Sequence, residues 1–109
     1  MLNKIQIIGR VGQEPTVKEL SDKTKVANFS VATNERYTNK SGEAVEKTEW
    51  FNIVAWQNLA DIVEKIIKKG DLVYIEGKIV TKEWEKDKIK HHSFEIVADS
   101  IKNLSPKDK

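Results

Sequence analysis

Ten residues at the centre of the chain, Lys47-Thr48-Glu49-Trp50-Phe51-Asn52-Ile53-Val54-Ala55-Trp56, alternate in the manner of a β-strand. Side chains on a strand point to its two faces in turn, so Trp50, Asn52, Val54 and Trp56 share one face. Phe51, Ile53 and Ala55 share the other, which is uniformly apolar and is expected to face the core. A core explains one apolar face; it does not explain two tryptophans on the other. Large flat rings on a solvent-facing surface are costly unless something stacks on them, and nucleic-acid bases are the natural candidates.

The period-2 pattern extends along most of the chain. Residues 2–11 alternate, 12–15 carry a turn or bulge signal (Gly12, Pro15), and 16–20 resume an extended pattern. After a polar turn at 21–25, residues 26–36 form a second strand with Ala27, Phe29 and Val31 on one face. Residues 37–46 are polar around an Asn39-Lys40-Ser41-Gly42 turn, and 47–56 form the third strand. The period then changes. Leu59, Ile62, Val63, Ile66 and Ile67 are spaced as on an amphipathic helix, with Asp61 and Glu64 early and Lys65, Lys68 and Lys69 late, and Gly70 is expected to end it. Residues 71–81 and 93–103 alternate again, the latter with Phe94, Ile96 and Ala98 on one face. Between them, 82–92 are charged around Trp84 and read as an extended hairpin or loop.

Three strands, a short helix and two more strands give an all-β fold class: a five-stranded Greek-key OB-fold barrel with one helix between strands three and four. At 109 residues the chain suits one domain, expected over 1–104, followed by a short polar tail at 105–109. A net charge of +2 would not by itself predict nucleic-acid binding. With no cysteine, disulfides and thiolate metal sites are excluded. No apolar run approaches the roughly 20 residues of a membrane span. The start runs from Met1 directly into strand pattern without a signal-peptide layout, so a cytoplasmic setting is expected.

Five strings of residues, in order, carry a more specific message. They are Asn3-Lys4-Ile5-Gln6-Ile7-Ile8-Gly9-Arg10-Val11-Gly12 with Glu14-Pro15; Val26-Ala27-Asn28-Phe29-Ser30-Val31-Ala32-Thr33-Asn34-Glu35-Arg36-Tyr37; Lys47-Thr48-Glu49-Trp50 with Trp56 and Leu59-Ala60-Asp61; Lys69-Gly70; and Val73-Tyr74-Ile75-Glu76-Gly77-Lys78 with Thr81 and Trp84. Over residues 1–104 the chain resembles the bacterial single-stranded DNA-binding proteins of replication. The resemblance implies stacking of bases on Tyr37, Trp50, Trp56 and Trp84 and phosphate contacts from Lys4, Lys40, Lys68, Lys69 and Lys82. It implies sequence-independent binding and protection of single-stranded DNA in replication, recombination and repair. It also implies a homotetramer, a dimer of dimers paired through strand one, on the bacterial nucleoid in the cytoplasm. No cofactor is required.

Some positions depart from the family pattern. Phe51 stands where many members have a histidine associated with subunit contacts. Asn52, Asn58 and Glu83 stand where some members are basic, so fewer phosphate contacts are expected. His91-His92 replaces a common Arg-Tyr pair, and the loop before it lacks its usual glycine. The family's long tail, with an acidic tip and terminal Phe, recruits replication and repair enzymes. This sequence runs to Ser105-Pro106-Lys107-Asp108-Lys109, so those partners are expected only if such a tail lies beyond it.

Other chemistries find little support. His91 and His92, adjacent on a strand, point to opposite faces and would rarely hold one metal. There is no Gly-rich phosphate loop, nucleophile elbow or HExxH, so no enzyme activity and no membrane partner are expected. The alternative is an OB-fold accessory module of the primosome type, or an RNA binder, which would depend less on Trp50 and Trp56 together. Tyr74 shares a face with Glu76 and Lys78 and suits a protein interface.

Overall fold

The turn signal at 12–15 divides the first extended stretch into β1 (Ile5–Val11) and β2 (Thr16–Glu19). In the computed structural model, which describes residues 1–105, these are followed by β3 (Lys25–Thr38), β4 (Ala44–Trp56), α1 (Asn58–Ile66), β5 (Leu72–Lys86) and β6 (Ile89–Asn103). The polar tail expected at 105–109 lies, apart from Ser105, outside the described residues. The strands run β1-β5-β6-β4-β3-β2 in one sheet, and β1 also pairs with β3, which closes five of them into a barrel. β2 continues the path of β1 around the bend and lies along β3. This is the expected OB-fold, with its helix between the third and fourth barrel strands.

Two short seams close the ring. β1 meets β3 only at Arg10↔Ala32 and Val11↔Val31, and β4 meets β6, in parallel, only at Ile53↔Ile96 and Val54↔Val97. By contrast, β3–β4 and β5–β6 are long antiparallel ladders that run past the barrel as two arms. At Gly77 the β5–β6 register shifts, and a Cβ there would collide with the Val97 carbonyl, so the bulge needs glycine. The polar stretch at 37–46 is half ladder: β3 runs on to Thr38, β4 begins at Ala44, and 39–43 turn. Polarity marks a ribbon wet on both faces as readily as a loop.

The inward faces fill the barrel with Ile7, Val11, Phe29, Val31, Ile53, Val73 and Ile75, and no polar side chain is buried among the described residues. The helix departs from its expected face. Ala60, Val63 and Ile67 are buried, whereas Ile62 and Ile66 are exposed. Beside this buried face, Lys25 Nζ on β3 lies 2.6 Å from Asp61 and 2.9 Å from Glu64. The Lys25 ammonium holds the Asp61 carboxyl below its usual range, and both carboxylates raise the lysine.

Gly70 does not end the helix as expected. The chain leaves it at Ile67, whose extended backbone carries the side chain into the core. Gly70, at φ 90°, serves the following turn, in which the Asp71 carboxylate accepts from the Lys68 N–H at 2.9 Å. Lys68 and Lys69 therefore lie in that turn, not on the helix. No helix among the described residues is long and apolar enough to cross a membrane.

Candidate nucleic-acid interface

β4 carries Trp50 and Trp56 on one face, as its alternation requires, and both rings are exposed, at 61% and 42%. Between them Asn52 is exposed, but Val54 is buried at the floor of a cleft. The cleft has a volume of about 610 Å³ and is lined by Asn28, Ser30, Asn52 and Val54 on one side and Lys82, Trp84 and Ser93 on the other. It lies where β6 parts from β4 beyond their short seam.

Trp84 stands on the β5–β6 arm at 46% exposure, opposite His91 in register. The two rings stack, with centroids 5.5 Å apart and planes at 19°. One side of the indole is thus backed by imidazole. His92, opposite Glu83, takes the other face of the arm. Trp50 is backed differently: its six-membered ring lies against Gly12, across β3. Trp56 sits at the entry to α1, beside Gln57, whose φ of 56° is one a glycine would adopt more readily.

Tyr37, 51% exposed, is not brought into the cleft. It pairs with Val45 far along the β3–β4 arm and shares the parity of Phe29 and Val31, so it leaves from the face opposite Trp50. The lysines also divide. Lys82 lines the cleft. Lys68 and Lys69 lie in a turn tied to the bend after β1: Gly70 N–H donates to the Val11 carbonyl at 2.8 Å, and Lys69 N–H to Glu14 at 3.1 Å. That bend contains Gly12, so these lysines neighbour Trp50. Lys40 is exposed at the tip of the β3–β4 arm.

Lys4 belongs to a network on the outer face of β1 and β5. Its Nζ lies 2.8 Å from Glu76, Tyr74 Oη donates to the same carboxylate at 2.6 Å, and Gln6 Nε2 donates to Tyr74 Oη at 2.9 Å. The lysine hydrogen bond, with the tyrosine's, holds the Glu76 carboxyl below its usual range. Exposed Ile8 shares this outer face, which gives it the mixed character of a protein interface.

Phe94 shares a strand face with the buried Ile96 and Ala98 yet is 64% exposed. Its parity is inward, but it lies beyond the point at which β4 covers β6. There it borders a second, apolar hollow of about 450 Å³ with Ile5, Trp50, Phe51, Ile79 and Ile96. Phe51, at the same hollow, packs partly against the core. Alternation could not have revealed Phe94; only the length of the β4–β6 seam does.

Comparison with known proteins agrees with this architecture. The model of the single-strand binding protein family matches residues 2–104. A single-stranded DNA-binding protein of Neisseria meningitidis is 43% identical over 104 residues, and one of Chlorobaculum tepidum is 42% identical over 109. They cover 94% and 98% of this chain; the chain spans 60% of the first and 67% of the second. Among solved structures, the Plasmodium falciparum SSB in complex with single-stranded DNA superposes with a TM-score of 0.90 at 38% identity, covering 96% of each chain. A deletion mutant of the Thermus aquaticus single-stranded DNA-binding protein shares the fold, with a TM-score of 0.83 at 23% identity over 95% of this chain and 51% of that one. On the family match and the identity to these relatives, this chain belongs to the single-strand binding protein family.

Proposed function

We propose that residues 1–104 form one unit that binds single-stranded DNA without regard to sequence. The observation that carries this is three half-exposed tryptophans: Trp84 lines a cleft with Lys82, and Trp50 and Trp56 share the β4 face of Asn52 and Val54, which line the same cleft. Each base stacked on an aromatic contributes on the order of 1–3 kcal/mol, and stacking tolerates sequence because every base has a π-face. Lys68, Lys69 and Lys82 follow the phosphates near the tryptophans. Tyr37 and Lys40 extend the path along the β3–β4 arm, and Lys4 joins it only by exchanging Glu76 for phosphate. Phe94 adds an apolar surface beside Trp50. The Plasmodium falciparum SSB, solved with single-stranded DNA, has this fold at 38% identity.

Protection of unwound DNA during replication, recombination and repair, in a bacterial cytoplasm, follows from this reading. Self-association fits it as well. Residues 5–9 of β1 pair with β5 on one side only, and an open strand edge invites a second copy. Strand-one dimers meeting through the Lys4, Tyr74 and Glu76 face would give a homotetramer and link several DNA sites. Replication and repair enzymes would be partners only through a tail beyond this sequence.

Titration with oligo-dT, followed by tryptophan fluorescence, tests the reading. Strong quenching is expected, with little response to duplex. Affinity should fall with salt at a log–log slope of about −0.7 per phosphate neutralised. Absence of quenching at low salt would overturn it and favour a protein-binding OB module.

A further inference from the structure

We propose that Gly12 is the residue that sets the pose of Trp50 as a stacking platform. The proposal rests on the DNA-binding reading above and adds a positioning role that stacking aromatics and lysines do not supply.

Trp50 is opposite Ala32, and Ala32 is opposite Arg10 at the end of β1. Two residues on, the Gly12 N–H donates to the Ser30 carbonyl at 2.9 Å. The indole therefore leaves β4, crosses β3 and reaches the bend after β1. There its outer edge meets the glycine. A Cβ at position 12 would lie 2.9 Å from Trp50 Cη2, closer still to Cζ3, and 3.1 Å from Ser30 Oγ. Carbon atoms do not approach so closely, since contact lies near 3.5–4.0 Å. One of the two groups would have to move, and the ring is the one free to do so.

Backbone freedom is not the reason for this glycine. Gly42 and Gly70 have positive φ; Gly12 does not. What position 12 requires is the absence of a side chain. The edge of the Trp50 ring rests on this glycine while the residue remains the most exposed of the three tryptophans. With a methyl group at that point, the ring must shift out of the pose it holds here. The same bend holds the turn of Lys68 and Lys69, so it fixes the ring in register with two candidate phosphate contacts.

A double-mutant cycle tests this, using fluorescein-labelled oligo-dT anisotropy and thermal melting. Gly12→Ala should weaken binding on the order of tenfold while melting stays close to wild type. Trp50→Phe lacks the six-membered indole edge that meets Gly12, so adding Gly12→Ala to it should cost less than about twofold. Equal loss in both backgrounds, or no loss in either, would overturn the proposal. If Gly12→Ala alone unfolds the protein, rescue of folding by Trp50→Phe supports the contact, and failure of rescue refutes it. A wild-type protein that does not bind oligo-dT removes the DNA-binding reading itself, an outcome distinct from all of these.

Discussion

The β3–β4 arm and the β5–β6 arm leave the same barrel as antiparallel ribbons, yet their tips are closed in different ways. At the first tip, Asn39 Oδ1 accepts from Ser41 N–H and Glu43 N–H at 2.9 and 3.0 Å, and Gly42 takes the left-handed position at φ 80°. Rungs lower down join Thr48 to Asn34 at 2.7 Å and Arg36 to Glu46 at 3.7 Å. At the second tip, Asp87 and Lys88 both adopt positive φ, 54° and 64°, without a glycine. No cross-strand ion pair ties that arm among the described residues, and its one side-chain rung is the stack of Trp84 on His91. The first arm is held by local chemistry that leaves Tyr37 idle. The second is held by the very ring proposed to meet DNA. It also carries Lys82, Lys86, Lys88 and Lys90 against Glu83, Glu85 and Asp87. Order and function are separate on one arm and shared on the other.

The sharpest way to break that contrast is to remove each arm's aromatic. Trp84→Ala should weaken oligo-dT binding by on the order of 1–3 kcal/mol, roughly 5- to 150-fold. Tyr37→Ala should cost several times less, because Tyr37 stands on the far face of its ribbon. Equal losses in anisotropy titrations would show that the DNA path uses both arms alike. Next comes the rung itself. His91→Ala removes a stack worth about 0.5–1.5 kcal/mol, so affinity should drop about two- to tenfold, with faster hydrogen exchange over 82–92. No change in either would mean that Trp84 needs no backing.

The tips should then respond with opposite signs. Lys88→Gly relieves a left-handed non-glycine residue and should stabilise its tip by about 1 kcal/mol, read as slower amide exchange. Gly42→Ala imposes the same strain on the other tip and should destabilise it by a similar amount. Acid provides a control outside both arms. Lys25 lowers the Asp61 carboxyl, so this pair stabilises the fold above the ordinary aspartate value and is lost as pH falls through the lower folded one. Below about pH 4, Asp61→Asn should flatten the decline of Tm, whereas neutral pH leaves the clamp intact.

Much of this was legible in the chain. Parity along 47–56 is rigid, so the shared face of Trp50 and Trp56 could be read directly, as could that of Phe29 and Val31. The family strings then pointed to Trp84, Tyr37 and the lysines. What alternation cannot convey is where a strand outruns its neighbour. Phe94 keeps its inward parity beyond the β4–β6 seam and so emerges into solvent. Partners distant in sequence were equally hidden. Gly12 reads as a turn until Trp50 is seen across β3, His91 as half of an unexplained pair until register sets it on Trp84, and the Glu76 partner of Lys4 is not visible in the chain. Helix spacing alone could not tell that Ala60, Val63 and Ile67 would be buried while Ile62 and Ile66 stay exposed.

The seams that close the barrel bear on how it withstands load. Each is only two residue pairs long, so the ring resembles a hoop with two clasps, and each arm is a lever pivoting near one of them. The clasp between β4 and β6 consists of Ile53, Val54, Ile96 and Val97. Three of those four side chains are buried, so this clasp is gripped by packing more than by its few hydrogen bonds. Packing is not screened by ions, whereas phosphate contacts are. Salt that would weaken the proposed phosphate contacts therefore leaves the hoop fastened.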